Sequence, residues 1–149
     1  MDVKIPQPLQ EEHEELHAEL VQATNAGGRV EEAAKAVAKL LHPHFLKEEA
    51  FALPALGLLP QLAAGNITPE MGDILPMTAR LKAELHQMLE EHQAIVAALR
   101  DLVEAAEQEH KLEYARTAEM LMLHAQTEED VLYPAAILIG EYLRLKLKP

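Results

Sequence analysis

The chain has 149 residues, a length that fits one domain around one hydrophobic core. Its net charge of −12 excludes a basic surface for nucleic acid or anionic lipid, and the absence of cysteine excludes disulfides, thiolate metal sites and a thiol nucleophile. No stretch resembles a signal peptide or approaches the roughly 20 apolar residues that a membrane span needs. We therefore expect one cytoplasmic domain over residues 1–149, with neither nucleic acid nor membrane among its partners.

Most of the chain has the apolar spacing of amphipathic helices, and its abundant alanine, leucine and glutamate also favour helix. Prolines and glycines break residues 54–76, which predicts a long connection with a helical turn that opens at Thr68. The spacing places Leu40 and Val131 on the buried faces of the second and fourth helices. We predict an all-α four-helix bundle whose helices run from about Pro8 to Asn25, Val30 to Leu53, Met77 to Gln108 and Leu112 to Ile139.

Two histidine patterns occur twice in the chain. Glu-His pairs stand at Glu12-His13 and Glu91-His92, and a His-x3-Glu-Glu-x4-Pro pattern begins at His44 and again at His124. The members of each pair are separated by about 80 residues, which an internal duplication of a helical hairpin explains. Two such hairpins form an up-down-up-down bundle, and their equivalent histidines should converge near its axis.

The repeated pattern predicts a metal site. Residues four apart on a helix lie about 40° apart around its axis, so the histidine and first glutamate of each longer pattern point to one centre. Buried glutamates with no nearby Lys or Arg would cost several kcal/mol, and a bound metal removes that cost. The predicted ligands are His13, His44, Glu48, His92, His124 and Glu128.

These donors suit two cations. Glu48 and Glu128 can each bridge ions about 3.5 to 4 Å apart, while the four imidazoles bind at the two ends. Mixed nitrogen and oxygen donors suit iron or manganese, zinc is possible, and calcium or magnesium would need more oxygen ligands. Several coordination positions stay open for water or dioxygen.

The arrangement resembles the hemerythrin family, and in particular its HHE-type cation-binding domains, over nearly the whole chain. The resemblance rests on Glu12-His13, Glu91-His92 and the two His-x3-Glu-Glu patterns at His44 and His124. It implies a single hemerythrin-like domain with a non-haem di-iron centre, in which glutamates and an oxo or hydroxo bridge join two Fe ions. The implied small ligand is O2, NO or a related oxidant.

The chain departs from the oxygen-carrying members of that family. Met88 and Val96 stand where the carriers have a second histidine on the third helix, and Glu128 stands where they use a later aspartate. These departures argue against reversible oxygen carriage, and no cysteine-bearing segment supports iron-sulfur repair. Two alternatives stay open: a di-iron oxidase or peroxidase at the same site, or an interaction module with a structural metal that uses the long connection to bind a partner.

The remaining histidines and the neighbouring acids are expected outside the site. His17 is predicted to be polar near its mouth, with the alternative that it supplements His13. We expect exposed side chains at His42, His86 and His110. Glu12 and Glu91 are expected to be solvated, with the alternative that they orient an imidazole, and Glu49 and Glu129 are expected to be exposed neighbours of the bridging glutamates.

Overall fold

The protein is described here by a computed structural model that covers residues 2–148, and none of these residues lies in a β-strand. Four long helical units, formed by α1, α2, α4 and the pair α5 and α6, are consistent with the predicted four-helix bundle, and the all-α prediction is confirmed. No helix in the described part of the chain is long and apolar enough to cross a membrane. The helices are α1 (Gln7–Ala23), α2 (Gly28–Lys47), α3 (Leu59–Ala63), α4 (Leu75–Gln108), α5 (Leu112–Thr127) and α6 (Tyr133–Lys146).

Two long units change from α-helical to π-helical spacing at a predicted ligand. The first π turn, Glu48–Ala52, follows α2 directly, and the second π turn, Glu128–Leu132, joins α5 to α6. In each turn the N–H of the residue five positions later, Leu53 or Tyr133, donates to the carbonyl of the first glutamate. A π turn contains one more residue than an α turn and often occurs at functional sites.

The second π turn corrects the predicted buried face of the fourth helical unit. Val131 is 56% exposed, whereas Tyr133 is fully buried. Because the π turn adds one residue, the side chains that follow it reach the core one position later than α-helical spacing predicts. Leu40 was also predicted to lie inward, but it is 41% exposed, at the edge of the stripe formed by Val37 and Leu41.

The predicted end of the fourth helix is also wrong, because α6 continues beyond Ile139 to Lys146. Gly140 does not stop the helix; it allows α6 to lie close to α4. A Cβ atom at this position would collide with Oγ1 and Cβ of the buried Thr78. The glycine is therefore a packing residue here, and six further helical residues, 141–146, follow it.

The long connection is largely ordered by short helical turns. It contains 3₁₀ turns at Pro54–Leu58 and Pro69–Ile74, the second of which begins directly after Thr68 as predicted. Leu56, Met71 and Ile74 are almost completely buried. These apolar side chains contribute to the core and are not available to bind a partner.

The buried apolar residues form two clusters, and the predicted ligands lie between them along each long unit. On α4, Met88 belongs to one cluster and Ile95 to the other, with His92 between them. The polar side chains thus occupy the layer where the two apolar clusters meet. This placement separates them from bulk water.

Candidate metal centre

The structure brings the six predicted ligands together in the buried layer, with exposures from 0% to 6%. Their donor atoms form two groups, in each of which all atoms lie within 4.8 Å of one another. Glu128 belongs to both. Group one contains His44, Glu48, His92 and Glu128, and group two contains His13, His124 and Glu128.

The two carboxylate oxygens of Glu128 face different groups. Its Oε1 lies 3.1 Å from Nε2 of His92 in group one. Its Oε2 lies 3.1 Å from Nε2 of His124 and 3.4 Å from Nε2 of His13 in group two. This geometry suits a carboxylate that bridges two cations.

Glu48 belongs to group one and not to group two. Its Oε2 accepts a hydrogen bond of 2.8 Å from the hydroxyl of Tyr133, and its Oε1 lies 3.7 Å from Nε2 of His44. That Oε1 atom is buried and has no hydrogen-bond partner in the described part of the protein. A buried carboxylate oxygen without a donor is unfavourable, so a cation fits here; the bridging role of Glu48 stays a prediction.

The inner nitrogens of the four imidazoles converge. Nε2 of His13 lies 2.8 Å from Nε2 of His124. Nε2 of His44 and Nε2 of His92 each lie 3.2 Å from the hydroxyl of Tyr133. Four nitrogens that face one small volume supply the lone pairs that a transition metal needs.

Carboxylates on neighbouring helices hold the outer nitrogens of three imidazoles. Nδ1 of His44 lies 2.8 Å from Glu91, Nδ1 of His92 lies 3.1 Å from Glu129, and Nδ1 of His124 contacts Glu12. Each carboxylate can accept a hydrogen bond from the Nδ1–H of its imidazole, which keeps the hydrogen on Nδ1 and leaves the Nε2 lone pair directed inward. Metal-binding histidines are commonly held in this way.

These contacts correct the expectations for the acids. Glu12 and Glu91 orient imidazoles, as the alternative proposed, and are not simply solvated. Glu129 was expected to be an exposed neighbour but is only 29% exposed at its side chain and contacts His92. Glu49 is exposed as predicted. The sequence placed each acid next to a predicted ligand, but the imidazole it meets belongs to another element, so helix packing decides the pairing.

Tyr133 is the site residue that sequence reasoning missed. Its hydroxyl lies among Glu48, His44 and His92, and burial, together with the nearby charges of Glu48 and Glu128, raises its pKa. The phenol therefore keeps its proton and acts as a donor. Its position five residues after a predicted ligand matches π-helical spacing, which an α-helical pattern does not reveal.

The two glutamates titrate differently because of their surroundings. Burial, reinforced by the neighbouring Glu128, raises the pKa of Glu48 well above its ordinary value. Burial also opposes ionisation of Glu128, but the neighbouring Glu48 and the imidazoles of His124, His13 and His92 together hold its pKa well below the ordinary value. In the metal-free site, Glu48 is therefore the carboxyl group that is protonated more easily, and Glu128 is the one that is ionised more easily.

The imidazole pKa values also depend on burial and on the nearby carboxylates. Burial lowers the pKa of His44 despite its hydrogen bond with Glu91. Burial acts in the same direction on His124, but Glu128 and Glu12 outweigh it and raise its pKa. Neutral imidazoles with a free Nε2 lone pair are the form that binds metal.

The four other histidines lie outside both groups. His17, His42, His86 and His110 are all exposed, which agrees with the prediction for each of them. His110 has a left-handed backbone with φ of 57°, in the turn between α4 and α5. The structure therefore gives no support to the alternative that His17 supplements His13 in binding.

Comparisons with known proteins do not place the chain in a family. No family model matches it, and neither a curated protein nor a solved structure matches it. The functional conclusion therefore rests on the chemistry of the buried histidines and glutamates, which can hold a metal ion.

Proposed function

We propose that the protein is a non-haem di-iron protein of the hemerythrin HHE type, which binds or senses O2, NO or a related oxidant, or holds iron. One observation carries the proposal: four inward-facing imidazole nitrogens and two carboxylates form two groups that share Glu128. The unpartnered Oε1 of Glu48 supports the same conclusion, because it is a buried acceptor without a protein donor.

The proposed roles follow the two groups. His44 and His92 would hold one cation, His13 and His124 would hold the other, and Glu128, whose two oxygens face the two groups, would serve both. Glu48 is the second proposed bridge. Mixed nitrogen and oxygen donors suit iron, with manganese or zinc as the alternatives. Two iron ions supply redox chemistry toward O2 or NO when they are bound.

The chain's own residues prepare the site for that chemistry. The apolar clusters on both sides limit access of water, and the three acids on the outer nitrogens fix the imidazole directions. Tyr133 holds a proton at its hydroxyl, 2.8 Å from Oε2 of Glu48.

We also propose the finer features of the fold: one hemerythrin-like domain over residues 1–149, with up-down-up-down helices from two duplicated hairpins. Two paired observations support the duplication. A π turn begins at each of Glu48 and Glu128, and the equivalent acids Glu12 and Glu91 hold the equivalent imidazoles of His124 and His44.

A second candidate function, a di-iron oxidase or peroxidase at the same site, is favoured by Tyr133. Its buried hydroxyl lies among Glu48, His44 and His92, where it could donate a hydrogen bond to an oxidant held at the site during turnover. The persistence of an oxygen adduct separates the two functions. A binding protein or sensor keeps the adduct, whereas an oxidase loses it as product forms.

The first experiment is an absorption spectrum of the protein loaded anaerobically with Fe²⁺, recorded before and after air is admitted, with bound iron counted on the same sample. We expect about two irons per chain and new near-ultraviolet or visible bands after air. The double variant Glu48→Ala with Glu128→Ala should lose the iron, whereas the matched variant His42→Ala with His110→Ala should keep it. Iron that is not retained by the wild type, with no spectral change, would contradict the di-iron proposal.

A further inference from the structure

One of the four imidazoles is held differently from the other three. Among residues 2–148, no carboxylate or other partner contacts Nδ1 of His13. Its ring instead stacks on Phe45, with centroids 4.6 Å apart and an angle of 20° between the planes. The side chain is 7% exposed, so this ligand is deeply buried but not fixed by a hydrogen bond at its outer nitrogen.

His13 lines a cavity. The cavity has a volume of about 230 Å³, and its apolar wall includes Phe45. Among residues 2–148, no Lys or Arg lines it. The ionisable side chains around it, apart from His13, are Glu14, His17, His42 and Glu49, and all four are exposed.

We propose that this cavity is the route by which the metal reaches the buried site, an inference that rests on the proposed metal-binding function. A hydrated divalent cation such as Fe²⁺ binds first to carboxylates and imidazoles at the rim, where it can exchange water for protein ligands. His13 then receives it. Because no acid holds its Nδ1, the His13 imidazole can turn toward the cavity and back at a lower cost than the other three.

A second groove reaches another imidazole of the site, but a carboxylate holds that imidazole in place. It lies over His124 and is lined by several glutamates, Glu15 and Glu19 among them. There, Glu12 occupies the outer nitrogen of His124 and fixes the ring. Both openings therefore have an acidic lining. They differ in that no carboxylate holds the outer nitrogen of His13 in the first cavity.

Metal-loading kinetics test the inference. Metal-free full-length protein is mixed anaerobically with Fe²⁺, samples are quenched with a ferrous chelator, and protein-bound iron is measured against time. We expect Glu14→Gln with Glu49→Gln, and separately His17→Ala with His42→Ala, to slow loading by about tenfold or more. The final iron content per chain should equal that of the wild type, because none of the four residues belongs to either ligand group.

The control is Glu15→Gln with Glu19→Gln, which also removes two negative charges, but from the second groove. It should load at nearly the wild-type rate. Equal slowing in the control and the cavity variants would overturn the inference, because the effect would then be general electrostatic attraction. If the wild type takes up iron and the cavity variants load at the same rate, this inference is overturned and the proposed function is not. If the wild type takes up no iron, both are overturned.

Discussion

The outer nitrogens of the imidazoles show how single residues prepare the site. Glu91 lies 2.8 Å from Nδ1 of His44, and it also pairs with Lys47 at 2.6 Å. Burial opposes ionisation of Glu91, but these partners outweigh it and lower its pKa to about 2. The carboxylate therefore stays ionised, and continues to hold His44, over the whole physiological pH range.

Removing this carboxylate should weaken metal binding without removing a ligand. We expect Glu91→Ala to lower metal affinity by about 10- to 100-fold, because the His44 ring loses its fixed direction. Competition with a chromophoric chelator measures the affinity. Glu90→Ala is the matched control, since the adjacent acid is 54% exposed and contacts only the exposed His86 among the described residues; a similar loss there would refute a specific role for Glu91.

The raised pKa of Glu48 should make metal affinity depend on pH. Burial favours the protonated form of Glu48 in the metal-free site, so we expect metal binding to release a proton from it. Affinity should therefore fall as pH falls, by about tenfold per pH unit for one released proton. Calorimetric titrations in buffers of different ionisation enthalpy count the protons, and a value of zero released on metal binding would contradict a protonated Glu48.

At the scale of elements, the contact between α4 and α6 depends on Gly140. We expect Gly140→Ala to destabilise the protein by about 1–3 kcal/mol, because the added methyl group collides with Thr78. This outcome opposes helix propensity, which favours alanine by about 1 kcal/mol. Urea unfolding measures the change. Gly72→Ala is the control, since its Cβ would make an ordinary 3.5 Å contact with Leu147; equal losses in both variants would exclude the collision as the cause.

The elements also show what the sequence could and could not predict. Apolar spacing was enough to locate the long helices, and the repeated histidine pattern was enough to select the side chains that the structure brings together. The π turns escaped detection, because their first residues fit an α-helical stripe and the shift becomes evident only at Tyr133. The fourth helix was predicted to end too early, because the sequence alone does not show that Gly140 packs against Thr78 inside α6. The partners of the imidazoles depend on how helices pack, which a linear pattern does not contain.

At the scale of the whole molecule, the site concentrates buried polar groups between two apolar clusters. In the metal-free protein this layer opposes folding, because the glutamates and imidazoles lose water without full compensation. A metal that binds the folded chain reverses the balance. The same residues that weaken the empty protein should therefore stabilise the loaded one.

Metal should raise the stability of the whole domain. We expect stabilisation of about 2.7 kcal/mol when free metal is at 100 times its dissociation constant, measured as a shift in Tm. The variant Glu48→Gln with Glu128→Gln should lose this shift, because both carboxylates of the two donor groups are gone. A metal-dependent shift that persists in this variant would place the binding site elsewhere.

The acids that hold the imidazoles have a mechanical consequence. Glu12 on α1 holds His124 on α5, Glu91 on α4 holds His44 on α2, and Glu129 in the second π turn holds His92 on α4. Each of these rings is thus oriented by a residue on a different segment of the chain. A displacement of α1 relative to α5 would therefore change the direction of the His124 ring, even if the two helices stayed in contact. We expect metal affinity to respond in the same way to any change in how these helices pack.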